Sequence, residues 1–210
     1  SFFPKEKALE TLKKTWSSLG FDLDNQKNIV IDADERPKKV PRAYCMPLRV
    51  PEEVHLVIKP KGGQDDYQAL LHESGHSQHY ANTEASLPYP FKHMGDHTVS
   101  ETYAFSIEYL TLSKEWLSTF TTLQGKSLQS YLHFNWLLNL FFVRRYVGKF
   151  IYEMKLFSHD LRKLDEQWQP TEETYNSEAE MYTNILTQAT HFIYPEINYL
   201  NDIDSGFYVA

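Results

Sequence analysis

The sequence lacks the features of disulfide-stabilised and nucleic-acid-binding proteins. Cys45 is the only cysteine among 210 residues, so no disulfide can form within the chain. A single cysteine favours a reducing compartment, and we expect a cytoplasmic protein. The formal net charge is −7, and no cluster of lysine and arginine offsets it. We therefore expect no nucleic-acid partner, because binding to a phosphate backbone requires a basic surface.

Long apolar runs and secretion signals are also missing. The longest apolar stretch, residues 131–143, is interrupted by His133, Asn135 and Asn139 and is too short to span a bilayer. No signal peptide and no Asn-x-Ser/Thr sequon is visible. We therefore expect neither secretion nor a membrane partner. The aromatic content of 15% indicates a packed globular protein rather than a disordered one.

One short stretch carries a recognisable chemical pattern. Residues 72–76 are His-Glu-Ser-Gly-His, the H-E-x-x-H pattern. Helical residues four apart differ by about 40° around the axis, so the His72 and His76 imidazoles can bind one metal ion. Glu73 lies roughly 100° away, too far round to be a third ligand, but it can reach a metal-bound water as general base. The pattern therefore predicts a zinc site with hydrolytic chemistry.

The flanking residues favour a helix over residues 66–82. Asp65 or Asp66 is suited to N-cap this helix, and Gln68 stands three after Asp65, where a capping box places its partner. Gly75 costs about 1 kcal/mol relative to alanine inside a helix. We therefore expect another backbone to pass close to Gly75.

A third protein ligand has to come from another element, because two histidines leave a zinc site incomplete. Residues 98–112 predict a second helix. On this helix Glu101 and Glu108 are seven residues apart and share one face. Glu101 is thus a candidate third ligand.

Two other interpretations of this region stay open. Thr98-x-x-Glu101 also matches a capping box, in which Glu101 would accept a hydrogen bond from the Thr98 amide and bind no metal. His93 and His97 lie in the segment between the two predicted helices. Both are alternative third ligands, because histidine binds zinc as well as glutamate does.

These residues together resemble the catalytic core of the thimet oligopeptidase and oligoendopeptidase family of zinc peptidases. Residues 72–79 are His-Glu-Ser-Gly-His-Ser-Gln-His, and Glu101 and Glu108 follow. The family carries H-E-x-G-H-x-x-H, then a ligand glutamate on the next helix and a further glutamate seven residues later. Residues 41–45 and 54–58 also resemble the family's sequence before the motif.

The resemblance implies a role for each of these side chains. The zinc ligands would be His72, His76 and Glu101, and Glu73 would be the general base. His79 and Glu108 would orient the ligands through hydrogen bonds. For His79, an ordinary position on the helix face is an equal alternative.

The resemblance also implies an oxyanion donor near the C-terminus. The family has a glycine-tyrosine stretch there, whose tyrosine and histidine side chains donate hydrogen bonds to the oxyanion. This chain departs from that pattern, because Phe207 stands where a tyrosine is expected. Tyr208 is the best candidate and Tyr199 the second. The alternative is that both tyrosines are packing aromatics.

The fold class implied is mainly α (α+β), a zincin-like helical catalytic domain with a small β-sheet beside the H-E-x-x-H helix. Family members are several hundred residues long, so residues 1–210 would be one catalytic domain from the C-terminal part of a longer protein. The missing N-terminal part is then a candidate partner.

Other segments predict the elements around the motif helix. Residues 5–19 and 171–190 predict helices, and residues 127–158 predict a helix that is apolar nearly all round and therefore buried. Residues 28–32 and 54–58 predict strands. The second strand is either an edge strand that pairs with a substrate backbone or an ordinary strand within a small sheet.

The function predicted is zinc-dependent hydrolysis of peptide bonds in short or unfolded peptides, with Zn²⁺ as the cofactor and a peptide as the partner. Glu73 would take a proton from the zinc-bound water and pass it to the leaving amine. Two alternatives stay open. One is a metal-binding but catalytically incomplete peptide-binding module, and the other is a metal-free helical interaction domain.

Overall fold

The computed structural model describes residues 1–39, 43–158 and 171–191. This part of the chain is mainly helical and includes a three-stranded mixed sheet, which confirms the general fold class. The described residues up to 132 form one compact unit, and those from 133 onwards form a second. The finer assignment to a zincin-like domain stays a prediction, as does a single domain over residues 1–210.

The first unit contains five complete helices, the start of a sixth, and the sheet. Two short 3-10 turns, Lys5–Lys7 and Tyr109–Leu112, accompany these helices. The predicted helices at 5–19, 66–82 and 98–112 are present with small shifts at their ends. The helices are α1 (Ala8–Ser18), α2 (Gln64–Ala81), α3 (Tyr89–His93), α4 (His97–Glu108), α5 (Lys114–Phe120) and α6 (Gly125–Ser158), which continues past this unit.

The sheet has the strand order β1-β3-β2, with β1 at Ile29–Asp32, β2 at Tyr44–Arg49 and β3 at Glu53–Val57. Strand β3 is parallel to β1 and antiparallel to β2. The predicted strand at 54–58 is therefore central, and its interpretation as an edge strand is wrong. The edge strands among the described residues are β1 and β2, and Pro47 is compatible with its place on β2 because an edge residue needs no N–H for the ladder.

The core of this unit lies between the sheet, α1 and α2. Leu12, Leu56 and Leu70 are almost completely buried there, and each such side chain stabilises the fold by roughly 1.5–3 kcal/mol. The Trp16 indole N–H donates to Ser74 Oγ at 2.9 Å, which holds α1 against α2. The helix that carries the H-E-x-x-H pattern is thus fixed to the core along one face.

Helix α2 begins differently from the sequence prediction. The N-cap is Gly63, which has a φ of +108° and no side chain to cap the helix, so the predicted caps Asp65 and Asp66 are wrong. Asp66 lies in the first turn and accepts hydrogen bonds from the Lys61 and Gly62 amides, the latter at 2.7 Å. Its carboxylate therefore stabilises the preceding loop while lying at the positive end of the helix dipole.

Gly75 is a point of close approach between α2 and α4. A Cβ built on Gly75 would lie 2.6 Å from Ala104 Cα and 2.8 Å from the Tyr103 carbonyl oxygen. Both contacts are with the backbone of α4, which cannot move aside as a side chain can. The expectation that another backbone passes close to Gly75 is confirmed, and this approach brings the two helices within reach of one metal ion.

We expect Gly75→Ala to destabilise the protein by about 1–3 kcal/mol, because the added methyl group has to push α4 away. In an open helix the same change would stabilise by about 1 kcal/mol, so the sign of the effect is diagnostic. Urea unfolding measures it. Gly95→Ala is the matched control, since a Cβ there meets no atom within 4 Å. A Gly75→Ala variant at least as stable as the parent would contradict this packing.

The second unit contains the rest of α6 and helix α7 (Glu172–Thr190), close to the helix predicted at 171–190. Thr171 caps α7 by accepting a hydrogen bond from the Thr174 amide at 3.3 Å. Tyr152 and Leu156 of α6 pack with Tyr182 and Leu186 of α7 in a small core.

Helix α6 is exposed along part of its length, although the sequence predicts a buried helix. Trp136, Leu140 and Val143 are each more than half exposed. The prediction of burial all round is therefore wrong for this helix, since an apolar surface does not by itself supply a partner. Within the described ranges, no helix combines the length and the apolar character needed to cross a membrane.

Candidate metal centre

Helices α2 and α4 bring three potential metal ligands together. His72 and His76 lie one turn apart on α2, and Glu101 lies on the facing side of α4. One ligand atom from each residue lies within 4.8 Å of the others, so the group could hold a metal ion. Their side chains are only 18%, 13% and 14% exposed, respectively. The centre is therefore largely shielded from water.

The distances within this group suit tetrahedral coordination. His72 Nε2 lies 3.2 Å from His76 Nε2 and 3.3 Å from Glu101 Oε2, and His76 Nε2 lies 3.7 Å from Glu101 Oε1. Ligand bonds of 2.0–2.1 Å in a tetrahedron place neighbouring ligand atoms about 3.4 Å apart. Glu101 Oε2 is buried and accepts no well-aligned hydrogen bond from the described residues. A metal ion would give this oxygen a partner.

The other nitrogen of each imidazole is held by α4. His72 Nδ1 lies 2.8 Å from Glu108 Oε2, and His76 Nδ1 lies 2.7 Å from Ser100 Oγ. The Glu108 carboxylate can only accept, so it favours a proton on His72 Nδ1, and both contacts leave Nε2 of each ring free to be the ligand atom. Both imidazoles are therefore oriented towards the same point.

The charges of the metal-free centre favour a cation. Burial alone would lower the pKa of His72, but contacts with Glu101 and Glu108 raise it to about 9. Burial lowers the pKa of His76. Burial would raise the pKa of Glu101, but the contact with His72 outweighs this and lowers it. The carboxylates that stabilise a proton on His72 would equally stabilise a metal cation in its place, so the surroundings of the two histidines favour a cation.

The competing interpretation of Glu101 as a capping residue is wrong. The N-cap of α4 is Asp96, whose Oδ1 accepts a hydrogen bond from the Thr98 amide at 2.8 Å. The cap is thus provided from outside the helix. Glu101 points across to α2 instead, where its carboxylate meets the two histidines.

Glu73 follows His72 on α2, and its carboxylate contacts the sheet. Its Oε2 accepts a hydrogen bond from the Cys45 backbone amide at 2.9 Å, which ties α2 to the edge strand β2. Burial raises the pKa of the Cys45 thiol to about 11, so this cysteine is a neutral neighbour. The Glu73 carboxylate is thus fixed by the backbone and is not one of the three ligands.

No protein-family model, curated protein or solved structure matches the chain. The likeness to the zinc-peptidase family therefore rests only on sequence motifs, at residues 41–45, 54–58, 72–79, Glu101 and Glu108. Of these, residues 41 and 42 lie outside the described part of the chain.

His79, His93 and His97 are not among the three ligands. The His79 ring stacks on Tyr103, with centroids 5.0 Å apart and an angle of 5°, and also on Tyr80. Its Nδ1 is buried without a hydrogen-bond partner among the described residues. His79 therefore does not orient a ligand through this nitrogen, whereas Glu108 and Ser100 do contact the ligand histidines. His93 stacks on Tyr89, and His97 is exposed at the start of α4. Neither belongs to the metal-holding group.

The predicted oxyanion donors Tyr208 and Tyr199 lie outside the described residues. Two contacts in the described part were missed from the sequence. The first is the contact of Ser100 with His76. Ser100 lies one turn before Ala104, on the face of α4 that packs on α2, and this spacing could have indicated the contact. The Cys45 amide could not have been found, because a backbone group carries no signal in the sequence.

Proposed function

We propose that the protein is a zinc-dependent peptidase. The observation that carries this proposal is the convergence of His72, His76 and Glu101, with Glu73 next to His72 on α2. Two imidazoles and one carboxylate are a ligand set that suits zinc. Three protein ligands leave a coordination position open, as catalytic zinc sites do.

The chemistry expected here is divided between the metal and Glu73. Bound zinc would supply a Lewis acid that polarises a peptide carbonyl and lowers the pKa of water to about 7. The Glu73 carboxylate takes the proton of the attacking water and then delivers it to the leaving amine. The hydrogen bond from the Cys45 amide keeps this carboxylate in one orientation and reduces the motion that would otherwise weaken proton transfer.

Glu108 and Ser100 act on the ligands rather than on the substrate. Glu108 accepts a hydrogen bond from His72 Nδ1–H, and Ser100 Oγ lies at hydrogen-bond distance from His76 Nδ1. With both Nδ1 atoms engaged in this way, Nε2 of each ring is the nitrogen that would bind the metal. The carboxylate of Glu108 makes His72 the more basic ligand, whereas the neutral hydroxyl of Ser100 has a weaker effect on His76.

The edge strand β2 supports a peptide as the substrate. It lies beside Glu73, and an extended peptide can pair with a sheet edge through main-chain hydrogen bonds. Cys45 gives its N–H to Glu73 and Pro47 has none. This edge would therefore bind chiefly through carbonyl oxygens that accept N–H groups of the peptide. Short or unfolded peptides meet this requirement because their backbones are accessible.

The test is metal content and peptide cleavage measured on the same sample. We expect one zinc per chain and cleavage of an internally quenched peptide. Chelation by EDTA should abolish cleavage, and stoichiometric zinc should restore it. One bound zinc without cleavage would overturn the peptidase proposal in favour of a peptide-binding module. The absence of bound metal would favour a metal-free interaction domain.

A further inference from the structure

The first unit contains a second feature that could bind a ligand, a cavity of about 810 Å³. Its walls are formed by the end of α1, the C-terminal part of α2, the segment 82–97 and one face of α4. The volume falls within the range of roughly 300–1,000 Å³ that is typical of sites for small molecules.

The cavity lies behind the metal centre rather than in it. The residues that line it do not include His72, His76 or Glu101. Ser100 does line it, and Ser100 contacts His76 at Nδ1, the ring nitrogen that faces away from the other ligands. The His76 ring therefore separates the cavity from the position of the metal.

Several aromatic rings line the cavity. His79 stacks flat on Tyr103, and this pair forms part of the lining. Trp16 and Phe21 meet edge to face, with ring centroids 5.4 Å apart. Such walls favour a planar guest, because ring pairs contribute about 0.5–1.5 kcal/mol beyond the burial of their area. The other six-membered rings in the lining are those of Tyr80 and Phe91.

The charged side chains of the lining are engaged within the protein. Asp96 caps α4, Lys92 Nζ donates to the Ala85 carbonyl at 3.2 Å, and Glu84 accepts a hydrogen bond from Ser86. Burial also lowers the pKa of His79, which therefore contributes a neutral ring at pH 7. These contacts leave the rings as the larger part of the surface that a guest would meet, so the walls favour a flat aromatic guest.

We infer that this cavity is a binding site for an aromatic ring, separate from the metal centre. The ring belongs either to a free small molecule or to a side chain of a bound peptide. The two sources share the same chemistry, and different probes distinguish them. Because the cavity does not include the three ligands, binding does not depend on the peptidase proposal.

Indole is the probe for a free ring, and acetyl-Gly-Phe-Gly-amide is the probe for a side chain, with acetyl-Gly-Ala-Gly-amide as its control. Titrations followed by NMR use the intact chain with zinc and after chelation, so that cleavage cannot interfere in the second case. We expect saturable binding with shifts at His79 and Tyr103, and we expect it to survive removal of the metal. Binding of indole alone identifies a free molecule, and binding of the Phe peptide but not the Ala peptide identifies a side chain.

Two variants fix the location. Val99→Trp places an indole in the cavity and should weaken ring binding at least tenfold, whereas Thr102→Trp adds the same group on α4 outside the lining and should leave binding unchanged. Tyr103→Ala removes the stacked ring and should weaken binding about fivefold. Circular dichroism verifies the fold of each variant. The inference is overturned if no ring probe binds, if Val99→Trp binds like the parent, or if chelation abolishes binding.

Discussion

The Glu101→Ala variant is expected to lose its zinc. Glu101 provides the one ligand that comes from α4, and its carboxylate lies within 3.3 Å of His72 Nε2 and 3.7 Å of His76 Nε2. Two histidines on one helix remain, and they do not complete a zinc site. We expect affinity to fall by more than roughly a thousandfold, because partners outside the ligand set already change it 10–100-fold. Competition with a chromogenic chelator measures the change, and metal analysis after dialysis confirms it.

Two controls separate loss of a ligand from general damage. Glu108→Gln alters the partner of His72 but keeps all three ligands, so zinc affinity should fall only about 10–100-fold. His97→Ala should leave affinity unchanged, because His97 is exposed and outside the metal-holding group. A Glu101→Ala variant that keeps its zinc, together with a His97→Ala variant that loses it, would identify His97 as the third ligand.

Much of this centre could be predicted from the sequence because its determinants are local. The spacing of four between His72 and His76 and of seven between Glu101 and Glu108 sets their faces once each helix forms. Gly75 gave the one indication of how the helices meet, since a glycine inside a helix suggests a close backbone. The pairing of α2 with α4 follows from these features.

The remaining details depend on tertiary structure that local patterns do not encode. Residues 44–49 showed no clear strand signal, since Pro47 interrupts the run, yet they form the edge strand that holds Glu73. Strand order is set by packing against α2 and not by the composition of each strand. The N-terminus of α4 shows that two side chains can compete to cap the same helix. Asp96 supplies the cap of α4, which leaves Glu101 for the metal centre although its spacing from Thr98 suits a capping box.

The Glu73→Gln variant is expected to keep its zinc and lose its peptidase activity. The amide oxygen of glutamine can still accept the hydrogen bond from the Cys45 amide, so the position of the side chain is retained. The amide cannot take a proton from water, and a general base typically contributes 10²–10⁴-fold to the rate. We therefore expect kcat to fall by about 10²–10⁴-fold. Cleavage of the quenched peptide under saturating conditions measures it, with zinc content determined on the same sample.

A Glu73→Asp variant tests whether the position of the carboxylate matters as well as its presence. It keeps the carboxylate but shortens the side chain, so we expect activity between that of the parent and that of Glu73→Gln, because misplacement by about 1 Å costs roughly 10²-fold. Zinc affinity should be similar in all three proteins, since Glu73 is not in the metal-holding group. Turnover by Glu73→Gln within threefold of the parent would exclude Glu73 as the general base. A parallel loss of zinc and activity would instead show that Glu73 supports the fold around the ligands. Loss of a general base alone lowers activity and leaves zinc binding intact.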